Sequence, residues 1–125
     1  MRVIAMLLLV SSCVSVLHAR TADARSERIK PGVSYYSDDF EAVGLVHDLA
    51  AEKNYEEVYQ FYSYYEAIYD AEERVVVFHE YKRGELIRTE EYTYRSSGEL
   101  LERRTLRTGM PTEITPGPAR APAGK

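Results

Sequence analysis

The sequence predicts an α+β fold in which one N-terminal helix packs on a four-stranded antiparallel β-meander. The main evidence is a unit that occurs three times, in which a tyrosine precedes a polar turn and an aliphatic residue follows it: residues 69–75, 81–86 and 94–100. The tyrosines of successive units, Tyr69, Tyr81 and Tyr94, are 12 and 13 positions apart. This spacing suits one strand plus one turn and is too short for a strand–helix unit. A helical pattern precedes the three units.

The predicted helix begins at Asp38 and ends near Lys53. Asp38 followed by Glu41 has the pattern of a capping box, and both acids suit the positive end of a helix dipole. Apolar residues then recur at helical spacing on one face, namely Phe40, Val43, Val46 or His47, and Ala50. Gly44 costs about 1 kcal/mol in a helix relative to alanine. We therefore expect Gly44 to mark a close approach of the helix to a strand.

The segment from Tyr55 to Tyr69 carries two conflicting signals. Its apolar residues recur at the helical period, whereas seven aromatic residues in fifteen positions favour a strand. We predict a strand from Val58 to Tyr69, because residues 70–73 form a turn of hairpin length that leads directly into the apolar run 75–78. A second helix over residues 55–69 is the alternative.

Two further hairpins complete the predicted meander. A tight loop at Arg83-Gly84 places Lys82 opposite Glu85 and Tyr81 opposite Leu86, so that opposite charges attract and apolar groups meet. We expect Leu86 to be buried in this register. A four-residue loop at 95–98 then sets Glu90 opposite Arg103 and Tyr92 opposite Leu101.

The two ends of the chain are predicted to lie outside the folded domain. Met1-Arg2 and the apolar run 3–10 form a secretory signal peptide, residues 1–19, with Ala22-Asp23-Ala24 as a later cleavage signal. In the alternative, residues 10–13 resemble a bacterial lipobox and Cys13 carries the lipid. We predict a linker with a short edge strand over 20–37, the helix and β-meander domain over 38–107, and a disordered Pro/Gly/Ala-rich tail over 108–125.

Composition limits the compartment and the partners. Cys13 is the only cysteine and lies in the predicted signal, so no disulfide can stabilise the mature domain. This usage suits a protein of the bacterial periplasm or cell envelope, or one that is secreted. The 16 Lys and Arg residues are scattered among 20 Asp and Glu residues, which argues against nucleic acid as a partner. Membrane contact is expected only through a lipid anchor on Cys13.

The three tyrosine units resemble YD-type repeats, the Tyr-Asp hairpin units of Rhs-type bacterial surface proteins. Residues 69–71, 81–86 and 94–100 carry the resemblance, although Glu73 stands where those repeats usually have glycine and Arg95 replaces an aspartate. The resemblance implies a β-meander on an exported bacterial protein, without catalytic residues. A helix followed by four antiparallel strands is also similar in fold to cystatin-like rolls and to small envelope lipoproteins, which does not assign a function.

The sequence offers no arrangement typical of an enzyme. His18 lies in the signal, and His47 and His79 alone do not form a metal-binding pattern. Glu90 and Glu91 are neighbours in a strand, so they point to opposite faces and cannot act as a catalytic pair. No serine has a glycine-flanked nucleophile elbow, and no glycine-rich phosphate loop occurs. We predict a protein that is not an enzyme and has no metal or cofactor.

Two functions fit these observations. The first is a protein-interaction module of the bacterial envelope, with an inhibitor or immunity-type protein as a special case. The second is a small-ligand carrier with a pocket between helix and sheet, lined by Phe61, Tyr65 and Phe78. An apolar pocket of at least about 300 Å³ would favour the carrier.

For the interaction module, the predicted contact surface is the sheet face that the helix leaves uncovered. Val76, Phe78, Ile87 and Leu100 form the more apolar set and should face the helix. The outward set, with Glu90 among it, supplies the predicted binding residues, which are His79, Tyr81, Arg88, Tyr92 and Arg103. Tyr92 and Arg88 are the predicted hot spots, because tyrosine and arginine dominate such sites.

Overall fold

A computed structural model describes residues 29–119 and contains eight strands and one short helix. The predicted signal peptide, Cys13 and the last six residues lie outside the described residues. The elements are β1 (Ser34–Ser37), β2 (Phe40–Val43), β3 (Val46–Leu49), α1 (Tyr55–Val58), β4 (Ser63–Tyr69), β5 (Val75–Lys82), β6 (Glu85–Tyr94), β7 (Leu100–Arg107) and β8 (Glu113–Pro116). Six strands form one antiparallel sheet in the order β1-β4-β5-β6-β7-β8, and β2 and β3 form a separate hairpin.

The predicted helix from Asp38 to Lys53 is wrong, and with it the fold of one helix on a four-stranded meander. Residues 40–49 instead form the β2–β3 hairpin, in which Val43 pairs with Val46 and Phe40 with Leu49. Gly44 has φ +61°, which suits the first central position of a two-residue hairpin turn that favours glycine. Gly44 therefore marks a turn, and valines on both sides of it favour strands.

Segment 55–69 contains one element of each predicted kind. Residues Tyr55–Val58 form α1, a single turn, and Ser63–Tyr69 form β4. The strand prediction is thus right from Ser63 onward and wrong at Val58, which ends the helix and is fully buried. Asn54 is the N-cap residue directly before α1, and its carbonyl accepts hydrogen bonds from the backbone N–H groups of Glu57 and Val58.

The three tyrosine units form three of the hairpins of the large sheet, β4–β5, β5–β6 and β6–β7. In each, the tyrosine lies directly opposite the aliphatic residue of its unit: Tyr69 opposite Val75, Tyr81 opposite Leu86, and Tyr94 opposite Leu100. The predicted pairing of Tyr81 with Leu86 and of Lys82 with Glu85 is confirmed. Asp70 fixes the first turn, since its side chain accepts hydrogen bonds from the backbone N–H groups of Glu72 and Arg74.

Each of these three hairpins also contains a bulge on the strand that follows the turn. The registers leave one unpaired residue in each case: Val76 in β5, Ile87 in β6 and Leu101 in β7. In the β5–β6 hairpin, Tyr81 pairs with Leu86 but Glu80 pairs with Arg88. Because side chains alternate with a period of two, the extra residue moves all of β6 beyond Ile87 to the opposite face.

This bulge overturns the prediction that one face carries all the binding residues. Phe78 lies between Ala67 and Glu90 in the sheet, so Glu90 shares the face of Phe78. We call this the hairpin face, because the β2–β3 hairpin covers it. The opposite face, which carries Glu66, His79 and Tyr81, is the tyrosine face.

The predicted register of the β6–β7 hairpin is wrong by two residues. Glu90 lies opposite Thr105 rather than Arg103, and Tyr92 lies opposite Arg103 rather than Leu101. The turn at Arg95–Gly98 is where the loop was predicted, and the bulge at Leu101 accounts for part of the shift. A shift of two residues keeps each side chain on its face, so this error alone does not change what is buried.

The hydrophobic core lies between the hairpin face and the β2–β3 hairpin. Phe78 is fully buried at its centre, and the buried cluster also contains Leu49, Tyr65, Ala67, Tyr69, Val75 and Tyr92. The Phe40 ring of the hairpin lies 4.8 Å from the Tyr65 ring, and the His47 ring lies 5.6 Å from the Phe78 ring, measured between centroids. A two-stranded hairpin thus supplies the layer that the predicted helix was expected to supply.

The prediction that residues 108–125 form a disordered tail is wrong for its first part. Glu113–Pro116 pair with β7 as strand β8, and the Gly117 N–H donates to the Leu101 carbonyl at 2.8 Å. In an antiparallel pair, backbone N–H groups point alternately toward and away from the partner strand. The backbone nitrogens of Ile114 and Pro116 therefore point away from β7, toward the open edge of the sheet. Proline has no N–H, so this edge offers few donors to another strand.

The burial pattern predicts that Phe78→Ala will cost about 3–5 kcal/mol in the free energy of unfolding, because it leaves a cavity in the core. Leu86→Ala should cost less than about 1 kcal/mol, since Leu86 is 43% exposed, contrary to our sequence-based expectation. Urea unfolding of both variants checks that Phe78 is buried and that Leu86 is largely exposed. Equal losses would show that the β5–β6 hairpin is packed differently.

A second prediction concerns β8. A Cβ atom at Gly117 would collide with the Leu100 carbonyl, so Gly117→Ala should detach β8 and abolish hydrogen-exchange protection of the Thr115 amide. Thr112→Ala, at an exposed position before β8, is the control and should retain protection. Protection that survives in Gly117→Ala would contradict the close approach of Gly117 to β7.

Candidate functional site

The five predicted binding residues lie on both faces of the sheet. His79 and Tyr81 are on the tyrosine face, whereas Arg88, Tyr92 and Arg103 are on the hairpin face. The structure therefore does not bring them together as one surface. Tyr92, a predicted hot spot, is buried in the core.

Two of the three residues on the hairpin face, Tyr92 and Arg103, help to hold the β2–β3 hairpin. Tyr92 accepts a hydrogen bond from the backbone N–H of His47 at 2.9 Å, and Arg103 donates to the Leu45 carbonyl at 2.9 Å. Arg88 forms an ion pair with Glu80 at 2.9 Å. The buried Glu90 carboxylate contacts His47 Nδ1 at 2.6 Å and accepts from the Tyr92 hydroxyl. These contacts give Arg88, Tyr92 and Arg103 a structural role.

On the tyrosine face, Glu66 is the centre of a cluster of polar side chains. Its carboxylate contacts His79 Nδ1 and accepts hydrogen bonds from the hydroxyls of Tyr36 at 2.9 Å and Tyr81 at 3.3 Å. Glu66 lies opposite both Tyr36 in β1 and His79 in β5, so the sheet register brings these groups together. Glu66 is buried, and its oxygens therefore need such partners.

The electrostatics keep Glu66 anionic and the phenols neutral. The hydrogen bond with His79, supported by the one from Tyr36, lowers the pKa of Glu66 from its ordinary 4.5 to about 2, against the opposing effect of burial. Burial, the hydrogen bond to Glu66 and its charge raise the pKa of Tyr36 to about 12, and burial raises the pKa of Tyr81. Both hydroxyls are thus held as donors toward Glu66 at neutral pH.

Four exposed aromatic side chains lie beside this cluster, in α1 and the turn after it. They are Tyr55, Tyr59, Phe61 and Tyr62, exposed to 50%, 52%, 43% and 60%. We call these four residues the aromatic surface. Monomeric proteins rarely expose several neighbouring aromatic groups without a function, and tyrosine is enriched where proteins bind each other.

Ring contacts join the aromatic surface to the Glu66 cluster. Tyr55 lies 5.7 Å from Tyr59 and 5.0 Å from Tyr36 between ring centroids. Tyr55 also contacts Tyr64 at 6.4 Å, and Tyr64 stacks on Tyr81 at 4.7 Å with an interplanar angle of 8°. Tyr55 is therefore packed against Tyr36, whose hydroxyl donates to Glu66, and Tyr59 joins this group only through Tyr55.

The backbone of the aromatic surface is also fixed. Val58 is fully buried and anchors α1, and the Phe61 N–H donates to its carbonyl at 2.9 Å. The Tyr62 carbonyl accepts from the Arg83 N–H at 2.8 Å, and the Lys53 N–H donates to the Tyr36 carbonyl at 2.7 Å. Such anchoring reduces the conformational entropy that a binding surface loses when it meets a partner.

Two cations flank the four rings. Lys53 Nζ lies 5.4 Å from the centroid of Phe61, and the Arg83 guanidinium carbon lies 5.3 Å from that of Tyr62. Lys53 also pairs with Asp38 at 3.1 Å. Phe61 and Tyr62 thus each have a cation within the distance of a cation–π contact.

Among residues 29–119, no group of three or more His, Cys, Asp or Glu side chains is placed to hold a metal ion. No helix in this part of the chain is long and apolar enough to cross a membrane.

Comparison with protein-family models, curated proteins and solved structures gave no match. The resemblance to YD-type repeats therefore stays a prediction.

The pocket expected for a ligand carrier is not formed by the residues we predicted. Phe78 is fully buried in the core beneath the hairpin, whereas Phe61 is exposed on the aromatic surface. A cavity of about 370 Å³ lies elsewhere, between the tip of the β2–β3 hairpin and the start of β7. None of the three predicted pocket residues, Phe61, Tyr65 and Phe78, lines this cavity.

Sequence reasoning missed the aromatic surface, although its signal was present. The density of aromatic residues between Tyr55 and Tyr69 was used to choose between strand and helix. Six polar or aromatic residues in succession, from Tyr59 to Tyr64, do not fit the alternation of a half-buried strand, and they indicate a change of structure within the segment.

The lowered pKa of Glu66 predicts a specific loss of stability in acid. A carboxyl whose pKa is lowered on folding stabilises the native state above its unfolded pKa, and this contribution is lost as the pH falls from about 4.5 to about 2. The contribution is on the order of 3 kcal/mol for the whole shift. Urea unfolding at several pH values should show that Glu66→Gln is less stable than wild type at pH 7 and loses less stability on acidification.

Glu91→Gln, at an exposed carboxyl on β6, is the matched control and should follow wild type. If the free energy of unfolding of wild type and of Glu66→Gln changed in the same way between pH 4.5 and pH 2, the assigned role of Glu66 would be refuted.

Proposed function

We propose that this protein is an exported protein-interaction module of the bacterial envelope, without enzymatic activity, and that the aromatic surface is its contact site. The observation that carries the proposal is the exposure of Tyr55, Tyr59, Phe61 and Tyr62 on a backbone anchored by Val58. Export is supported by the signal-like pattern of residues 1–19. An inhibitor or immunity-type protein remains a special case of this function.

The chemistry of the surface supports a protein partner. Tyrosine rings cover a large contact area, lose little side-chain entropy on binding and retain a hydroxyl for the polar rim. Lys53 and Arg83 add positive charge at the edge of the rings, where charge mainly affects the rate and specificity of association. Lys53 is paired with Asp38, and Glu56 and Glu57 of α1 are also exposed. The partner surface is therefore expected to combine apolar groups with charged groups of both signs at its margin.

The proposal also gives the Glu66 cluster a function in binding. Glu66 orients Tyr36 and Tyr81, and these tyrosines support Tyr55 through the ring contacts described above. Glu66 is buried and would not touch the partner. It acts as a positioning residue that holds the exposed rings in place.

Site-specific photo-crosslinking can test the surface in cells of the source organism. A benzophenone amino acid at Tyr59 should crosslink one partner protein, whereas the same group at Leu101, which is exposed on β7, should not. With the purified partner, Tyr59→Ala and Tyr62→Ala should each weaken binding by about 10-fold or more, because central aromatic anchors dominate such interfaces. Met110→Ala, at another exposed apolar residue, should bind as wild type.

The melting temperature of each variant must match that of wild type for the comparison to hold. Crosslinking from Leu101 but not from Tyr59, or full affinity in both tyrosine variants, would move the contact site away from the aromatic surface.

A further inference from the structure

The cavity at the tip of the β2–β3 hairpin has features of a small-ligand site. It is open to solvent on one side, has a volume of about 370 Å³ and is lined by hairpin residues 43–46, by Glu99 and Leu100 at the β6–β7 turn, and by Pro118 and Ala119 after β8. Three separate parts of the chain thus meet around one space. The volume lies at the lower end of the range for ligand pockets.

The walls of the cavity are held in place by contacts that do not involve a ligand. The Leu45 carbonyl accepts a hydrogen bond from Arg103, and Val46 and Leu100 pack against the core. Gly117 lies against the Leu100 carbonyl and donates to the Leu101 carbonyl, which fixes the chain just before Pro118. The cavity is therefore formed in advance, and a ligand need not order it.

One wall of the cavity leaves apolar surface exposed to water. Val43 is 73% exposed, which is the highest value among the large apolar side chains of residues 29–119. A ligand in the cavity would cover part of this side chain and so gain hydrophobic free energy. The other wall side chains of Leu45, Val46, Leu100 and Pro118 are also apolar.

Glu99 determines the charge that such a ligand should carry. Among the described residues that line the cavity, it is the one with an ionisable side chain. An apolar ligand with an ammonium group could place its body against the wall and its charge beside Glu99. A ligand with a carboxylate would meet repulsion from the same residue.

We propose that this cavity binds a small hydrophobic cation, that is, an apolar body that carries an ammonium group. A cavity of about 370 Å³ is large enough for a small molecule. The site is independent of the proposed protein-interaction surface. Glu99 follows the β6–β7 turn, whereas Tyr62 lies beside Arg83 of the β5–β6 turn, at the other end of these antiparallel strands.

Titrations with three matched probes test the proposal on the full-length protein. The probes are 4-phenylbutylamine, the neutral 4-phenylbutan-1-ol and the anionic 4-phenylbutanoate, followed by amide chemical shifts at neutral pH. The amine should shift the amides of Val43, Val46 and Leu100 and should bind about 1.5- to 5-fold more tightly than the alcohol, as expected for an exposed ion pair. The carboxylate should bind most weakly.

Substitutions then separate the charge from the apolar wall. Glu99→Gln should abolish the preference for the amine over the alcohol, and Val43→Lys should weaken amine binding because it places a like charge in the site. Glu91→Gln and Val33→Lys, at exposed positions outside the cavity, should leave binding unchanged.

Several outcomes would overturn the proposal. These are equal affinity for the amine and the alcohol in wild type, no saturable binding, or shifts confined to Tyr59 and Tyr62 on the aromatic surface. A chain that ends at Ala119 provides a further arm. Amine binding to that chain but not to the full-length protein would also overturn the proposal, because residues 120–125 would then prevent binding in the intact protein.

Discussion

The extra residue that β6 carries at Ile87 determines which side chains share a face of the sheet. Before the bulge, Leu86 lies opposite Tyr81 on the tyrosine face, and after it Arg88 lies opposite Glu80 on the hairpin face. Glu90 and Tyr92 follow Arg88 to that face and meet His47 of the β2–β3 hairpin. Without the bulge, the hairpin would lose these polar partners and the tyrosine face would gain them.

Two buried carboxylates, one on each face, make this arrangement specific. Glu66 is satisfied by His79, Tyr36 and Tyr81, and Glu90 by His47 and Tyr92. An unpaired buried carboxylate costs several kcal/mol. A slip of one residue in either strand would separate a carboxylate from its partners, so the two glutamates penalise incorrect registers. On the tyrosine face, the hydrogen bond from Tyr36 to Glu66 also holds the ring on which Tyr55 packs.

The sequence predicted the parts of the fold that depend on local turn chemistry. The three tyrosine units form hairpins, and the pairing of Tyr81 with Leu86 follows from the tight turn at Arg83-Gly84. The bulges were not predictable from the alternation of side chains. A single unpaired residue such as Ile87 is itself a good strand residue, and the sequence does not show that it lacks a partner in the neighbouring strand. The helix at Asp38 was predicted since a capping pattern and helical spacing coincided, but Gly44 between two valines is the signal of a turn.

The candidate site was predictable only in part for the same reason. His79 and Tyr81 were assigned to a binding face and do lie together, whereas Arg88, Tyr92 and Arg103 were separated from them by the bulge. The aromatic surface depends on the end of α1 at Val58 and on how Val58 is buried. Burial of one residue by the tertiary structure cannot be read from local periodicity.

The assignment of the two faces can be tested most directly by nuclear Overhauser effects between aromatic protons in the folded protein. We expect contacts from the Phe40 ring to the rings of Tyr65 and Phe78, and separately between Tyr64 and Tyr81. Contacts between Phe40 of the hairpin and Tyr81 would contradict the assignment, because they would place the hairpin over the tyrosine face.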